Sequence, residues 1–386
     1  MDLTTILTAA VRTGASDIHL RVNEPPVFRV NGLLLRTKQP KLTNEQIKGF
    51  ASSFLTEDDW QKFRINNQLD LAHTIPDVGR FRVNIFMQQR VLGIVFRIIP
   101  FRVKTLDELS LPEVLKDIAM TPRGLVLVTG ATGSGKSTTL AAMIEHLNQN
   151  KPHHVITVED PIEYLFKDNR CVINQREIGQ DAPSFNEAFR AALRQDPDII
   201  LVGEMRDLET IDIALKAAET GHLVLSTLHT TNAVETANRI IAVFPNEQQR
   251  LVRHRLAMVL KSIISQRLVR TADGKGRLAA NEILINTRRV MEILDEGEDL
   301  AGLADVITEG YDPYRMQTFD QHLMYHLKLG RISYDEAMAN STNAQDFKLR
   351  FQGIHTGGSG GGWVAFDQAI EAELEKLKNA PAPSGS

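Results

Sequence analysis

The sequence predicts an α/β protein in which a small leading unit precedes a larger, doubly wound, mostly parallel sheet, and three observations carry that reading. Four apolar runs, residues 125–129, 155–158, 199–202 and 223–227, alternate with helical periods, as parallel βαβ crossovers require. A G-x-x-x-x-G-K-S/T motif, from Gly130 to Ser137, stands between the first run and an amphipathic period. The chain has 386 residues, 42% of them hydrophobic and 24% charged, which is globular composition with room for two or three domains.

Taken in order, the leading unit (1–100) opens with a helix over 3–13 and strands over 17–22 and 26–30. Asn31-Gly32 supplies a hairpin turn between 27–30 and 33–35. Residues 43–63 carry a helical pattern. Strands follow over 79–86 and 91–99, the first alternating Arg80, Arg82 and Asn84 against Phe81, Val83 and Ile85, which puts two arginines on one face. The pattern breaks after Pro100 into FRVKTLDELSLP, and 101–112 is expected to link the domains.

In the second domain (113–352), Leu140, Met143, Ile144 and Leu147 share one helix face. Phe185, Ala188, Phe189, Ala192 and Leu193 share another after Ser184, with Glu187 completing a capping box. A third helix over 211–219 ends at Gly221. Residues 247–351 read as mainly helical, with Leu256, Val259, Leu260, Ile263 and Ile264 as the clearest stripe. Six of the ten residues from Gly353 to Gly362 are glycine, so 353–386 reads as a flexible tether followed by a short charged helix.

Lys and Arg number 44 against 48 Asp and Glu, a net charge of −4, which gives no global attraction to nucleic acid. Arg250, Arg253, His254 and Arg255 form a mild basic patch that reads as solvated. The single cysteine, Cys171, allows no internal disulfide and no multi-cysteine zinc site, so a cytosolic protein is expected. No basic leader opens the chain, and no run approaches the ~18 apolar residues of a membrane span. Membrane association is therefore expected only through a partner.

The chemistry starts at Gly130, Ala131, Thr132, Gly133, Ser134, Gly135, Lys136, Ser137 and Thr138. Glycines let backbone N–H groups curl around phosphate oxygens, and the following helix adds its positive end. Lys136 suits the β and γ phosphates, and the Ser137 hydroxyl suits Mg²⁺. The plainer reading is a glycine-rich turn. Glu204 ends the apolar run 199–202 where open α/β sheets place ligands, either in the Mg²⁺ shell, orienting water, or as a surface acid. Glu159, Asp160 and Glu163 crowd three carboxylates into five residues, a cluster that needs a cation unless it is a solvated turn. Glu163 is the candidate general base. His222 and His229 bracket the run 223–228; His229 leaves the same edge as Glu204, as a γ-phosphate sensor or as a structural histidine. Arg80, Arg82 and Arg97 offer phosphate-matching forks, with a solvated strand face, or an internal ion pair for Arg97, as the alternatives.

Taken in order, GASDIHL, PPVFRVNG, GRFRVN, VFRIIP, GATGSGKSTTLAAMI, VITVEDPIEY, ALRQDPDIILVGEMRD, TGHLVLSTLHTTNA, ISQRL and MQTFDQ resemble the secretion-type traffic ATPases, most closely the PilT/PilU family of type IV pilus twitching-motility (retraction) ATPases. The resemblance runs to about Phe351. It implies a PAS-like N-terminal domain and a RecA-like P-loop NTPase domain with a helical C-terminal extension. It further implies ATP and Mg²⁺ as ligands and a homo-hexameric ring. In that family the motifs holding Glu163, Glu204 and His222 with His229 are the aspartate box, Walker B strand and histidine box. Arginines of the GRFRVN and VFRIIP strands approach phosphate there, which points to Arg82 and Arg97, with Arg80 beside them. The implied partner is an inner-membrane pilus platform protein, with a second retraction ATPase as a further candidate partner, and the implied location is the cytoplasmic face of the inner membrane. One cysteine, where extension and secretion relatives often carry four, favours retraction. The AIRxLIRE motif of PilT is not recognisable in LADVITEGYDPYRMQTFDQ, which leans the reading towards a PilU-like or otherwise divergent retraction ATPase. The rival readings are a pilus-extension or type II secretion ATPase, a nucleotide-gated scaffold with little turnover, and a nucleic-acid motor.

Overall fold

The computed structural model describes residues 2–354 and 360–379, apart from 31, 77, 100–101 and 297–298. The chain divides into two compact units, Met1–Val103 with Glu163–Phe166, and Lys104–Ile162 with Lys167–Ser386.

The first unit begins with α1 (Leu3–Arg12), whose Asp2 side chain accepts the Thr5 N–H and whose inner face buries Leu3, Ile6, Leu7 and Ala10. Then come β1 (Asp17–Arg21), β2 (Val27–Val30) and β3 (Leu33–Arg36). β2 and β3 form the expected hairpin, Val30 opposite Leu33. Gly32 adopts φ +83°, and Asn31 lies outside the described residues. The helical pattern over 43–63 resolves into two helices, α2 (Asn44–Ser52) and α3 (Glu57–Asn66), each headed by its own threonine capping box at Thr43 and Thr56. The second cap supplies a fresh set of donors for the new N-terminus and so interrupts the run. β4 (Gln68–Ile75), which the sequence reading lacked, precedes β5 (Gly79–Gln88) and β6 (Val91–Ile99). The six strands pair antiparallel in the order β3-β2-β1-β6-β5-β4. Ile18, Phe81, Val83, Ile85, Ile94 and Phe96 fill one face, packed with Leu7, Ile47 and Phe50.

In the second unit, Leu106 and Leu111 are buried, so the latter half of the expected linker is packed structure. α4 (Val114–Ala119), β7 (Gly124–Thr129), α5 (Lys136–Asn150), β8 (His154–Glu159), β9 (Val172–Glu177), α6 (Phe185–Ala192), β10 (Ile199–Val202), α7 (Leu208–Glu219), β11 (Leu223–Leu228), α8 (Ala233–Ala242) and α9 (Asn246–Val259) follow. Ser184 accepts the Glu187 N–H, the first half of the expected capping box. The apolar stripe from Leu256 then breaks. Leu260, Ile263 and Ile264 lie in β12 (Leu260–Arg270), which turns back as β13 (Arg277–Ile285). The sheet order is β13-β12-β7-β11-β10-β8-β9, parallel throughout except β12 with β13.

Every residue of β7, β10 and β11 is buried, as parallel strands covered on both faces must be. The helical layer α10 (Arg288–Glu296), α11 (Gly302–Glu309), α12 (Tyr311–Tyr314), α13 (Phe319–Lys328), α14 (Tyr334–Asn340) and α15 (Ala344–Phe351) completes the unit. A last helix, α16 (Gly360–Asn379), buries Trp363, Phe366 and Ile370 against Phe319, Leu323 and Phe347. Residues 355–359 of the expected tether lie outside the described residues, and the glycines from Gly360 onward are helical.

Candidate active site

Parallel pairing aligns the ends of the strands. Thr129 stands opposite Leu228, and Val202 opposite both Ser226 and Val158. The chain therefore leaves β7, β8, β10 and β11 on one edge, delivering Gly130, Asp160, Glu204 and His229 to it.

The loop from Gly130 to Gly135 turns through three positive φ values, +142°, +80° and +89° at Gly130, Gly133 and Gly135. A Cβ on Gly130 would stand 2.4 Å from the Gln266 carbonyl oxygen and 2.6 Å from Ser134 Oγ, so only glycine fits. Lys136 opens α5 and is buried; its Nζ donates to the carbonyls of Gly130 at 2.8 Å and Ala131 at 3.2 Å. His229 Nδ1 lies 3.5 Å from the same Nζ, and His229 Nε2 lies 3.1 Å from Glu204 Oε1. An ammonium has only hydrogens to offer, so this network assigns the Nδ1 lone pair to Lys136 and the Nε2 proton to Glu204. Arg206 closes the chain, 2.7 Å from Glu204 Oε2. Burial pushes the Glu204 carboxyl up, but Arg206 and His229 outweigh it and hold the group below its ordinary range.

Does this cradle fit a triphosphate tail and Mg²⁺? Ser134 Oγ is buried without a hydrogen-bond partner among the described residues, and Lys136 directs its ammonium at two loop carbonyls and His229. A cavity of about 310 Å³ opens over Gly130–Ser134, bounded by Thr231, Gln266, Leu268 and Arg277. A second, of about 290 Å³, shares the last three and adds Thr138, Leu109 and Leu111. The first lies over the loop itself; the second has Leu109, Leu111 and Leu268 on its wall beside Thr138 and Gln266. A buried, unpartnered Ser134 hydroxyl and a lysine on the loop, beside a partly leucine-lined slot, suit a phosphate chain carrying a flat base.

Sequence reasoning missed Gln266, Leu268, Arg277, Leu109 and Leu111. ISQRL and ELSLP were visible, but their role depends on which strand lies beside the loop.

His222 stands elsewhere. It precedes β11, whose first residue pairs with Gly124 at the start of β7, so it lies at the opposite edge, about 20 Å along the strand. There Nδ1 lies 3.0 Å from the Ala217 carbonyl oxygen. Of the acidic cluster, Glu159 accepts from Thr157 Oγ1 at 2.6 Å, and Glu163 belongs to the segment grouped with the first unit. In that unit, strand register sets Arg29, Asp17, Arg97 and Arg82 in one row across four strands. Arg97 Nε donates to Asp17 Oδ1 at 2.9 Å, the ion pair anticipated as its alternative role. Arg82 is half-exposed, 4.0 Å from Asp70, and Arg80 is half-buried.

A family model described as type II/IV secretion system protein matches residues 1–302. The chain belongs to that family. Among the family's members, the type IV pilus retractation ATPase PilT of Pseudomonas aeruginosa is 46% identical over 347 residues, covering 90% of this chain and all of that protein. The type IV pilus ATPase PilU of the same organism is 42% identical over 351 residues, covering 90% and 91%. These values do not favour the leaning towards PilU. A crystal structure of the pilus retraction motor PilT with bound ADP superposes with a TM-score of 0.83 at 44% identity, covering 90% of this chain and 98% of that one. The antiparallel unit followed by a RecA-like unit is thus a family architecture.

Proposed function

We propose that this chain is an ATP-hydrolysing motor of type IV pilus retraction, working as a homo-hexamer at the inner membrane on a platform protein. The observation that carries the reading is the hydrogen-bonded line Lys136–His229–Glu204 at the mouth of the phosphate loop, running from a buried lysine through an exposed histidine, in a chain that matches PilT over the whole of that protein.

Backbone amides of the loop and Lys136 hold the β and γ phosphates, while Ser137 and Glu204 hold Mg²⁺. When bound, the ion neutralises charge on the phosphate oxygens. Glu204, held ionised by its partners, is a good ligand and a poor base, which leaves Glu163 to orient and deprotonate the attacking water. Lys136 exchanges the Gly130 and Ala131 carbonyls for phosphate, and His229, bonded to both Lys136 and Glu204, senses that exchange. Arg82 and Arg97 supply charge stabilisation, with Arg80 in support, so hydrolysis waits on their arrival. The partly leucine-lined slot takes the base. His222 acts in the same site only if a neighbouring subunit brings it there.

Phosphate release by the purified protein tests the enzyme. Sustained turnover supports the motor, whereas binding without turnover supports the gated scaffold. A deletion strain tests direction: excess surface pili support retraction, and bald cells support extension.

A further inference from the structure

Gln266 is a polar side chain on a strand buried on both faces, and it lines both cavities of the site. Burial of an amide is costly unless its atoms are bonded, and here they are. Its Nε2 donates to the Ser134 carbonyl oxygen at 2.6 Å. Its Oε1 accepts from Thr139 Oγ1 at 2.7 Å and Asn281 Nδ2 at 3.0 Å. Three elements therefore converge on one amide: the phosphate loop, the first turns of α5 and β13.

The bond to Ser134 matters because of peptide geometry. In a planar trans peptide the C=O and the next N–H point in opposite directions. A donor that holds the Ser134 oxygen outward therefore holds the Gly135 N–H facing the other way. The approach is close enough that a Cβ on Gly135 would stand 2.8 Å from Gln266 Nε2, so glycine and glutamine are matched there.

The other end of the chain is anchored. Asn281 is buried, donates its backbone N–H to His322 Nδ1 at 2.9 Å, and its carbonyl oxygen accepts from Gln317 Nε2 at 3.0 Å. His322 stands on α13 and Gln317 just before it, so the helical layer holds Asn281, Asn281 holds Gln266, and Gln266 holds the loop.

We propose that Gln266 is a positioning residue for nucleotide phosphate, orienting the Ser134–Gly135 peptide so that its amide faces the phosphate oxygens, with Asn281 tying that orientation to the C-terminal helical layer. This rests on the nucleotide reading above. The test compares Mg-ADP with adenosine, the first by calorimetry and the second by ligand-observed NMR, on the full chain. Gln266→Leu is expected to weaken Mg-ADP about tenfold while adenosine stays within about twofold of the parent. Thr139→Val, nearly isosteric and removing one bond to Oε1, is expected to weaken Mg-ADP about threefold and guards against a misfolded leucine variant. Asn281→Leu should weaken Mg-ADP by a similar factor. If ADP and adenosine fall together, Gln266 is only a wall of the base slot, and the proposal fails. Equal Mg-ADP affinity in Gln266→Leu and the parent, or in Thr139→Val should the leucine variant not fold, overturns it with the nucleotide reading intact. A parent chain that takes up no Mg-ADP overturns both.

Discussion

The two sheets of this molecule place their chemistry in different ways. In the antiparallel sheet of the first unit one face is packed, and the other carries the row Arg29, Asp17, Arg97 and Arg82 across four strands. In the parallel sheet of the second unit both faces of the central strands are covered, and Gly130, Glu204 and His229 all leave at one edge. Register thus builds a surface row in the first case, and strand direction builds an edge in the second. The function proposed above gives rate to the row and phosphate grip to the edge, and each half of that division can be tested.

The largest effect should come from the edge. Lys136→Ala is expected to lower phosphate release at least about 10³-fold and to weaken Mg-ADP binding in parallel, because it removes the charge that grips the phosphates. Tight Mg-ADP binding by that variant would break the comparison at its stronger side. Next, Arg82→Ala and Arg97→Ala should each lower kcat about 10²-fold while Mg-ADP affinity stays within about threefold. Affinity lost in step with kcat would mean that the row grips phosphate as well.

Asp17 sharpens the same point at smaller scale. Its burial raises the carboxyl, but the Ser16 hydroxyl, Arg97 and Arg29 hold it lower on balance, and it anchors the Arg97 fork. Asp17→Asn should lower kcat about tenfold with unchanged Mg-ADP affinity, and should destabilise the first unit by about 1–3 kcal/mol in thermal unfolding. An unchanged kcat in the folded variant would reduce Asp17 to a structural ion pair.

How far the sequence shows all this depends on whether a residue's role is local. The phosphate loop is legible because one contiguous motif makes its own geometry, and β7, β10 and β11 are legible because strands buried on both faces are continuous apolar runs. β12 defeats the same logic. Leu256, Val259, Leu260, Ile263 and Ile264 keep a helical spacing straight through the end of α9, and a strand buried on both faces has no alternation to betray it. Gln266 was lost with it, since its meaning lies in a register beside the loop. β4 is weakly marked because its inward residues, Leu69, Leu71 and Ile75, are only half-buried and its outward face, Gln68, Asp70 and Thr74, is exposed, and the α2–α3 break because the Thr56 capping box falls within one continuous helical pattern. Arg82 and Arg97 could be placed on single strands from sequence, but only pairing sets them directly opposite each other.

Acid separates the two units by a smaller but distinct margin. His326, on α13 in the second unit, is buried, with Nε2 3.2 Å from the Ala279 carbonyl oxygen. Burial, with help from Arg331 and against that carbonyl, lowers its pKa to about 4. His322 beside it is pushed in the same direction, first by burial and then by His326. A histidine whose folded pKa lies below its unfolded value takes up protons preferentially on unfolding. Its neutral packing therefore costs nothing above about pH 6.5, and stability falls as pH drops from there to about 4. For His326 the full window is worth about 3 kcal/mol, and the single step from pH 6 to pH 5 about 1 kcal/mol. In the first unit His19 and His73 are also lowered by burial, but each sits only half-buried in a sheet with a solvated face. Calorimetric unfolding between pH 7 and pH 5 should therefore lower the transition of the second unit more than that of the first. His326→Gln should flatten that dependence while leaving the first unit's transition where it was, and equal acid sensitivity in parent and variant would remove α13 as the reason the two sheets differ.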